Sequence, residues 1–411
     1  MRGETAPAAR ADEVDAFPQR IAASATRTLH RHAGLVAGAS TFAAIALLTG
    51  LSASAMNNYT LLADAWLHGR AWVVPGGPYI DAVPWHGHPY VIEAPLPAVL
   101  MLPLAALSGT AANQNLVCAV LAAIAVAATL GLARNVTGSA RSGLALAAFA
   151  AFGTSLFAGA LDGGVWFMAH VSAFAFTVLA LVEMTGKRRG WLVGIFAACA
   201  GLSRYPLLPV VAIYVGWLAM AGRRRSALAC ALAVCAFAVP WVAYNELRWG
   251  TLHDPGFTIW YHVMDPRSHG GLPPFSLANL PMQLEAYFQR PPHLLDRFPW
   301  IAPPMFGFAI TWSSFGLVLA LLTLPRIPRD VSIAMLWLAM LVAAIPGFLY
   351  YDTGGVEYGM RHALDFEPFA IALVAFALRT PWSALTRPLL YANAGFGLYE
   401  TLLFALSPPT S

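Results

Sequence analysis

Long apolar segments alternate with short polar ones along most of the chain. Runs of about 20 apolar residues, the length needed to cross a bilayer as an α-helix, recur from residue 33 onwards. Examples are Ala33–Ala53, Asn115–Ala133, Gly143–Leu161 and Val165–Glu183. Because a helix satisfies its backbone hydrogen bonds within one segment, this pattern predicts an all-α polytopic membrane protein.

Composition supports the same class. Hydrophobic residues make up 58% of the chain, charged residues only 11%, and the mean hydropathy is +0.62. The four cysteines all lie inside apolar runs, where we expect small buried side chains rather than metal ligands. No glycine-rich phosphate-binding motif occurs, so a nucleotide donor is not expected. No nucleic-acid partner is expected either.

Two segments decide the number of spans. Pro95–Leu107 has only about 13 residues, too few for an ordinary crossing. If it does not cross, seventeen Lys/Arg lie on the cytoplasmic side and seven outside; if it crosses, the split becomes eleven against thirteen. Positive charge favours the cytoplasm, so we predict that it does not cross. Trp191–Ala221 is interrupted by Arg204 and Pro206, and is expected to form two short crossings that meet at an outer Arg204.

The resulting topology has about eleven transmembrane helices, a cytoplasmic N-terminus and an extracytoplasmic C-terminus. Residues 1–32 form a cytoplasmic segment, and residues 33–411 form one transmembrane domain with outer loops at 54–114 and 247–300. A bacterial plasma (inner) membrane is the expected location. In this topology fourteen of the 20 Asp/Glu and nine of the 11 His lie on the outer side. They either solvate the loops or form a reaction site at the outer surface.

The first outer loop carries three candidate general bases. Asn57–Leu67 has apolar positions at helical spacing and is expected to be an interfacial helix anchored by Trp66. It contains Asp64, and Asp81 and Glu93 follow. A carboxylate beside apolar surface can have a raised pKa and accept a proton from a substrate. Alternatively, each is a loop residue or a helix cap.

Two histidines in the same loop, His86 and His88, could supply half of a metal site. Without a third ligand at a fixed spacing, we expect the two side chains to make polar contacts within the loop. A divalent metal is therefore possible but not required.

Two arginines are candidates for binding phosphate. Arg204 interrupts apolar sequence, where a cation by default marks a functional site or a specific ion pair. Arg361 begins a late apolar run and is either a second phosphate ligand or the partner of Asp365, one helical turn later. Further candidate substrate-binding residues are Tyr59, His86, His88, His170, Tyr205 and His362. The segment 249–300, rich in Pro, Gly and aromatic residues, could cover a cavity.

Three stretches resemble the GT-C superfamily of polyprenyl-phosphate-sugar-dependent glycosyltransferases. They are "EAPLPAVLMLP" after the first outer loop, "GLSRYPLLP" around Arg204 and "YGMRHALDFEPFAIAL" around Arg361. The resemblance implies a GT-C-like fold, and a basic residue near the lipid phosphate at the position of Arg204. GT-C members usually place an acidic residue directly after the first helix, whereas this chain has Asn57 and Asn58.

The expected function is transfer of a sugar from a polyprenyl-phosphate donor to a lipid or glycan acceptor at the extracytoplasmic face, with an acidic residue as general base. The transferred sugar would be a hexose or a pentose. Two alternatives stay open from the sequence. One is a transporter or flippase for a lipid or small solute, and the other is a non-catalytic lipid-binding protein on the same scaffold.

Overall fold

The computed structural model describes residues 32–74, 82–252, 256–264, 273–302, 304, 306–355, 357–379 and 383–406. The candidate base Asp81 and the N-terminal segment 1–31 lie outside these ranges. The helices, in chain order, are α1 (His32–Thr49), α2 (Asn58–Leu67), α3 (Leu96–Ser108), α4 (Gln114–Thr137), α5 (Ala140–Phe152), α6 (Leu156–Asp162), α7 (Val165–Thr185), α8 (Gly190–Ser203), α9 (Val210–Met220), α10 (Arg224–Trp249), α11 (Phe257–Met264), α12 (Leu280–Phe288), α13 (Ile310–Ser313), α14 (Val331–Leu349), α15 (Glu367–Ala377) and α16 (Ser383–Leu406). Short 3₁₀ segments lie at Gly109–Ala111, Tyr205–Leu207, Leu277–Asn279 and Arg361–Asp365, and a longer one at Phe315–Arg329.

The protein is a helical membrane protein, but its helices are shorter than the sequence suggests. Among the described residues, five helices are long and apolar enough to cross a bilayer, or six if the bent pair α5 and α6 forms one span. This number is smaller than the eleven predicted spans, because several apolar runs fold as short helices. The interruption at Arg204 occurs as predicted: α8 ends at Ser203, and a 3₁₀ turn containing Pro206 precedes α9.

The fold is not entirely helical, which corrects the predicted class in one detail. Strands β1 (Ala82–Trp85) and β2 (His88–Val91) form an antiparallel hairpin in the first outer loop, and β3 (His293–Leu294) pairs with β4 (Ile301–Ala302). Alternating side chains and a two-residue turn at His86-Gly87 explain the first hairpin. Both residues of that turn have positive φ, a conformation that glycine adopts without strain.

Helix α15 lies at the centre of the bundle. Every one of its residues is buried, and it packs against α4, α5, α7 and α14.

The contact between helices α8 and α10 depends on small residues. A Cβ atom on Gly190 or Gly194 would overlap the carbonyl oxygen of Ser226 or Cys230. Glycines four residues apart let two helix backbones approach closely within a membrane, and α8 uses this device.

Helix α2 is present where the sequence predicts it, but its surroundings differ. Its residues from Asn58 to Ala63, and Ala65, are buried in protein, so it does not lie on the surface of the bundle as an interfacial helix would. Trp66 donates a hydrogen bond to the hydroxyl of Tyr244 on α10, at 3.1 Å. The predicted interfacial anchor therefore contacts another helix.

The two ends of the bundle have different characters. Helices α7 and α15 begin at one end, where α14 finishes, and we call this the site end. At the opposite end α4, α7 and α15 finish and α14 begins, and we call this the basic end. Arg188 and Arg379 lie at the basic end, with Arg326 beside Asp330, whereas His170, His362, Glu93 and Asp352 lie at the site end.

Candidate functional site

A cavity of about 880 Å³ opens at the site end of the bundle. Its walls come from the start of α7, the break after α8, helix α11, the end of α14 and the loop that follows α14. These elements are far apart in sequence, and the helix packing brings their ends together. The volume lies within the range typical of small-molecule sites.

Arg204 is fixed by a carboxylate from the other side of the cavity. Its Nε donates to Oδ1 of Asp365 at 3.1 Å, and its Nη2 donates to Oδ2 at 2.9 Å. Nη2 also donates to Nδ1 of His362, at 3.3 Å. The helix break exposes the arginine at this point, since the backbone at Arg204 is extended. The guanidinium therefore has a defined orientation at the cavity wall.

His170 shares the same carboxylate. Its Nδ1 lies 3.1 Å from Oδ1 of Asp365, and the side chain is completely buried on α7. Burial alone would raise the pKa of Asp365, but the charge of Arg204, together with His170 and the hydrogen bonds from both, lowers this pKa well below its usual range. An ionised Asp365 accepts hydrogen bonds, so the Nδ1 of His170 is the donor.

His362 has the opposite tautomer. Burial and the charge of Arg361 lower the pKa of His362 well below its usual value, so the ring is neutral. Because Nδ1 accepts a hydrogen bond from Arg204, the proton of the ring is on Nε2. The Nε2 atoms of His170 and His362 have no hydrogen-bond partner within the described part of the chain. The two rings meet edge to face, with centroids 5.3 Å apart.

Arg361 forms a separate ion pair. Its Nη1 lies 3.0 Å from Oε2 of Glu357, and its guanidinium lies over the rings of Trp166 and Phe167 at 5.4 and 5.7 Å. Burial raises the pKa of Glu357 to about 7, although the positive charge of Arg361 opposes this shift. The sequence alternative that pairs Arg361 with Asp365 is wrong, because the 3₁₀ turn Arg361–Asp365 directs the two side chains to different partners.

Two further carboxylates line the cavity, those of Glu93 and Asp352. Nδ2 of Asn58 lies 3.4 Å from Oε1 of Glu93, which places Glu93 beside the segment that follows the first helix. Oδ1 of Asp352 accepts a hydrogen bond from the backbone of Gly354 at 3.1 Å. The buried Gln283 fixes the Asp352 loop by donating to the carbonyl oxygens of Tyr350 and Asp352 at 2.8 and 2.9 Å.

The rest of the cavity wall is rich in aromatic rings. These come from α7, from the segment 249–300 and from the end of α14, and they are Trp166, Phe257, Trp260, Phe275, Tyr350 and Tyr351. Helix α11, in the segment expected to cover a cavity, contributes Phe257 and Trp260. The cavity thus combines charged side chains with aromatic rings, and Arg361 lies directly over one of these rings, that of Trp166.

The structure places seven of the candidate residues from the sequence on this cavity: Tyr59, Glu93, His170, Arg204, Tyr205, Arg361 and His362. Asp64 does not line it. Its Oδ2 lies 3.5 Å from Nη2 of Arg70 and 3.6 Å from Nδ1 of His68. His86 and His88 lie in the β1–β2 hairpin, stacked on Trp85 and Trp72 with ring centroids 4.7 and 4.3 Å apart.

Sequence reasoning missed the residues that hold the arginines. Asp365 was considered only as a partner of Arg361, and Glu357 and Asp352 were not singled out. The stretch "YYDTGGVEYGM" carried a signal, because two carboxylates and paired glycines at the end of an apolar helix are unusual there. Among the described residues, no group of three or more His, Cys, Asp or Glu side chains is arranged to hold a metal ion.

No protein-family model matches the chain, and no curated protein matches it either. Among solved structures, it is similar to the crystal structure of the Archaeoglobus fulgidus oligosaccharyltransferase in its apo form. The TM-score is 0.49 and the sequence identity 15%, over 91% of this chain and 54% of the archaeal chain. The chain thus spans about half the length of that enzyme.

Proposed function

We infer that the protein is a membrane glycosyltransferase that moves a sugar from a polyprenyl-phosphate donor to a hydroxyl of a lipid or glycan acceptor. The reaction takes place in the site-end cavity, at the extracytoplasmic face of the plasma membrane. The observation that carries this inference is the position of Arg204. It lies at a helix break, fixed by a buried carboxylate, between charged and aromatic walls. The three GT-C-like stretches in the sequence support the same inference.

The donor phosphate binds Arg204. A guanidinium has five N–H groups in a planar fork, and Asp365 engages Nε and Nη2. Nη1 has no hydrogen bond within the described residues and is available for a phosphate oxygen. A charge-assisted contact of this kind stabilises the negative charge that grows on the phosphate as the sugar departs. Arg361, on the same cavity, is the second phosphate ligand.

The aromatic wall of the cavity accommodates the sugar and the first part of the lipid chain. Aromatic faces pack against the C–H groups of a sugar ring, and we assign this role to Phe257 and Trp260 on α11. The isoprenoid chain leaves the cavity towards the bilayer past the apolar residues of α14, among them Ile345 and Leu349. Tyr59, Tyr205, His170 and His362 complete the polar wall around the sugar.

Glu93 is our candidate for the general base. It lines the cavity beside Asn58, close to the place where GT-C members usually carry an acidic residue. The acceptor oxygen bonds to the anomeric carbon and gives its proton to the carboxylate of Glu93. The bond from the anomeric carbon to the phosphate oxygen breaks, and its electron pair stays on the phosphate beside Arg204. Asp352 is the second candidate, and Asp81 also stays a candidate.

The test uses the full chain in lipid nanodiscs. Farnesyl phosphate, a short polyprenyl phosphate, is titrated into the wild type and the Arg204→Ala variant, and a panel of polyprenyl-phosphate sugars is then tested for transfer. We expect Arg204→Ala to weaken binding about tenfold or more, because a charge-assisted contact to phosphate is lost. Arg189→Ala is the matched control, since Arg189 is also ion-paired, to Glu183 at 3.0 Å, but lies outside the cavity.

Equal binding by the folded Arg204→Ala variant would contradict the assigned phosphate site. Binding that depends on Arg204, without transfer to any acceptor, would instead identify a lipid-binding protein built on this scaffold.

A further inference from the structure

A second, smaller pocket lies at the basic end of the bundle. Its volume is about 200 Å³, and it is enclosed by the last turns of α4, α7 and α15 and the first turn of α14. Nothing in the proposed transfer reaction uses it, because the site-end cavity lies at the other ends of α7, α14 and α15. Asn135, Thr185 and Ser332 give it a polar lining, and Trp217 and Phe376 an apolar one.

Two arginines lie on this pocket without an acidic partner. Nε of Arg188 donates to the carbonyl oxygen of Met184 at 3.1 Å, which holds the side chain and leaves both Nη atoms free of protein partners in the described ranges. Arg379, exposed at the end of α15, has no side-chain hydrogen bond or ion pair there either. Neighbouring arginines differ: Arg189 pairs with Glu183, and Arg326 pairs with Asp330.

The carboxylate in the pocket wall is already compensated. Oδ1 of Asp330 accepts hydrogen bonds from the backbone N–H groups of Ser332 and Ile333 at 2.9 and 3.4 Å, so it caps α14. Its other oxygen lies 3.6 Å from Nη2 of Arg326. The pocket therefore keeps the positive charge of Arg188 and Arg379 and the positive end of the α14 dipole.

The backbone at Arg188 points to a role for its side chain. Its φ is +57°, in the left-handed region, where glycine or asparagine is less strained than a long side chain. The turn is closed by a hydrogen bond from the N–H of Arg188 to the carbonyl oxygen of Glu183, at 2.7 Å. Arg188 thus adopts an unfavourable backbone conformation at a position whose side chain lines the pocket.

We propose that this pocket binds the head-group phosphate of an anionic phospholipid. The space suits a phosphate group rather than a whole lipid, and two guanidinium groups supply the charge. The pocket lies at the ends of membrane helices, at the level where head groups lie, and basic pockets between such helices bind anionic head groups. Trp217 and Phe376 give the glycerol and the first acyl carbons an apolar surface.

The experiment measures lipid retention by native mass spectrometry. The full chain is reconstituted in nanodiscs that contain equal amounts of phosphatidylcholine and phosphatidylglycerol, then released with its bound lipid. We expect one phosphatidylglycerol to be retained in preference to phosphatidylcholine. The Arg188→Gln/Arg379→Gln variant should retain it about 30-fold more weakly, since two cations near an anionic head group are lost.

The matched control is Arg223→Gln/Arg225→Gln, which removes two exposed charges at the same end of the bundle but outside the pocket. It should change retention by less than about threefold. Arg188→Lys keeps the charge and serves as a variant whose folding is least affected. Undiminished retention in the folded Arg188→Gln/Arg379→Gln variant would overturn the proposal. If the wild type bound inorganic phosphate and retained the two lipids equally, the assignment to a lipid would be overturned.

Discussion

Asp365 forms a two-point ion pair with Arg204, which lies 161 residues earlier in the chain. The carboxylate is almost completely buried and also accepts a hydrogen bond from His170. One side chain therefore sets the position of two groups on the cavity wall. Its removal should affect both the stability of the bundle and the binding of phosphate.

The first prediction concerns Asp365→Asn. Loss of one partner leaves Arg204 with an uncompensated charge in a largely buried place, which destabilises proteins by about 3 kcal/mol. The midpoint of thermal unfolding should fall, as followed by fluorescence-detected size exclusion. Farnesyl phosphate should also bind about tenfold more weakly, because Arg204 loses its fixed orientation.

A double-mutant cycle separates these two effects. In an Arg204→Ala background, Asp365→Asn should change the affinity for farnesyl phosphate by less than about threefold, because the residues act as one unit. Additive losses in the cycle would show that Asp365 acts on the ligand independently of Arg204.

The second prediction compares two candidate bases. Glu93→Gln should reduce sugar transfer by about 100-fold or more, because a positioned general base contributes this much to the rate. Asp64→Asn should leave transfer within about threefold of the wild type, since Asp64 contacts Arg70 and His68 rather than the cavity. Both substitutions remove one negative charge and leave the side-chain volume nearly unchanged. The reverse result would identify Asp64, on α2, as the general base.

The third prediction concerns pH. Glu357 has a pKa of about 7, and its charge balances that of Arg361. Below that pH the carboxyl is protonated, the charge of Arg361 is uncompensated, and farnesyl phosphate should bind more tightly at pH 6 than at pH 8. Asp352 and Arg290 also act on Glu357, in opposite directions, and are unchanged in the test.

Glu357→Gln should bind farnesyl phosphate with high affinity at both pH values, with only the pH dependence that arises from titration of the phosphate itself.

The free energy of unfolding also depends on the protonation of Glu357. The folded state holds a proton on Glu357 that the unfolded state has lost above about pH 4.5, so this residue reduces stability as the pH rises from about 4.5 to 7. Thermal unfolding of Glu357→Gln should lack this part of the pH dependence.

The fourth prediction tests the contact of α8 with α10. Gly194→Leu places a side chain against the backbone of Cys230 and should destabilise the protein by about 3 kcal/mol, with a visible loss of monodisperse protein. Gly216→Leu on α9 is the control, because a Cβ there meets no other atom within 4 Å. Equal yields of both variants would mean that α8 and α10 do not pack as closely as described.

The apolar pattern was sufficient to predict a helical membrane protein and the interruption at Arg204, but not the lengths of the individual helices. Periodicity and charge also selected Glu93, Arg361 and His362 as candidates, and all three lie on the cavity. These predictions rest on local properties, namely a charge or a proline within apolar sequence. The same reasoning says little about which distant side chain a charged group contacts.

The differences from the sequence predictions share that physical cause. Asp365 pairs with Arg204 rather than with the nearby Arg361, because the packing of α7, α8 and α15 brings the distant pair together. Helix α2 begins one residue later than predicted, at Asn58, and ends at Leu67 as predicted, but it is buried against α3 instead of lying at an interface. An apolar face predicts that a helix is shielded from water, but it does not show whether that face packs against lipid or against protein.

The position of Asp365 just before the central helix α15 has a consequence for biosynthesis. The ribosome delivers Arg204 long before it delivers Asp365, so Arg204 enters the membrane environment without its carboxylate and stays at the water-exposed surface. The site acquires its charge balance only when α15 inserts among α4, α5, α7 and α14. A chain interrupted before Asp365 would carry Arg204 without the carboxylate that balances its charge in the finished protein.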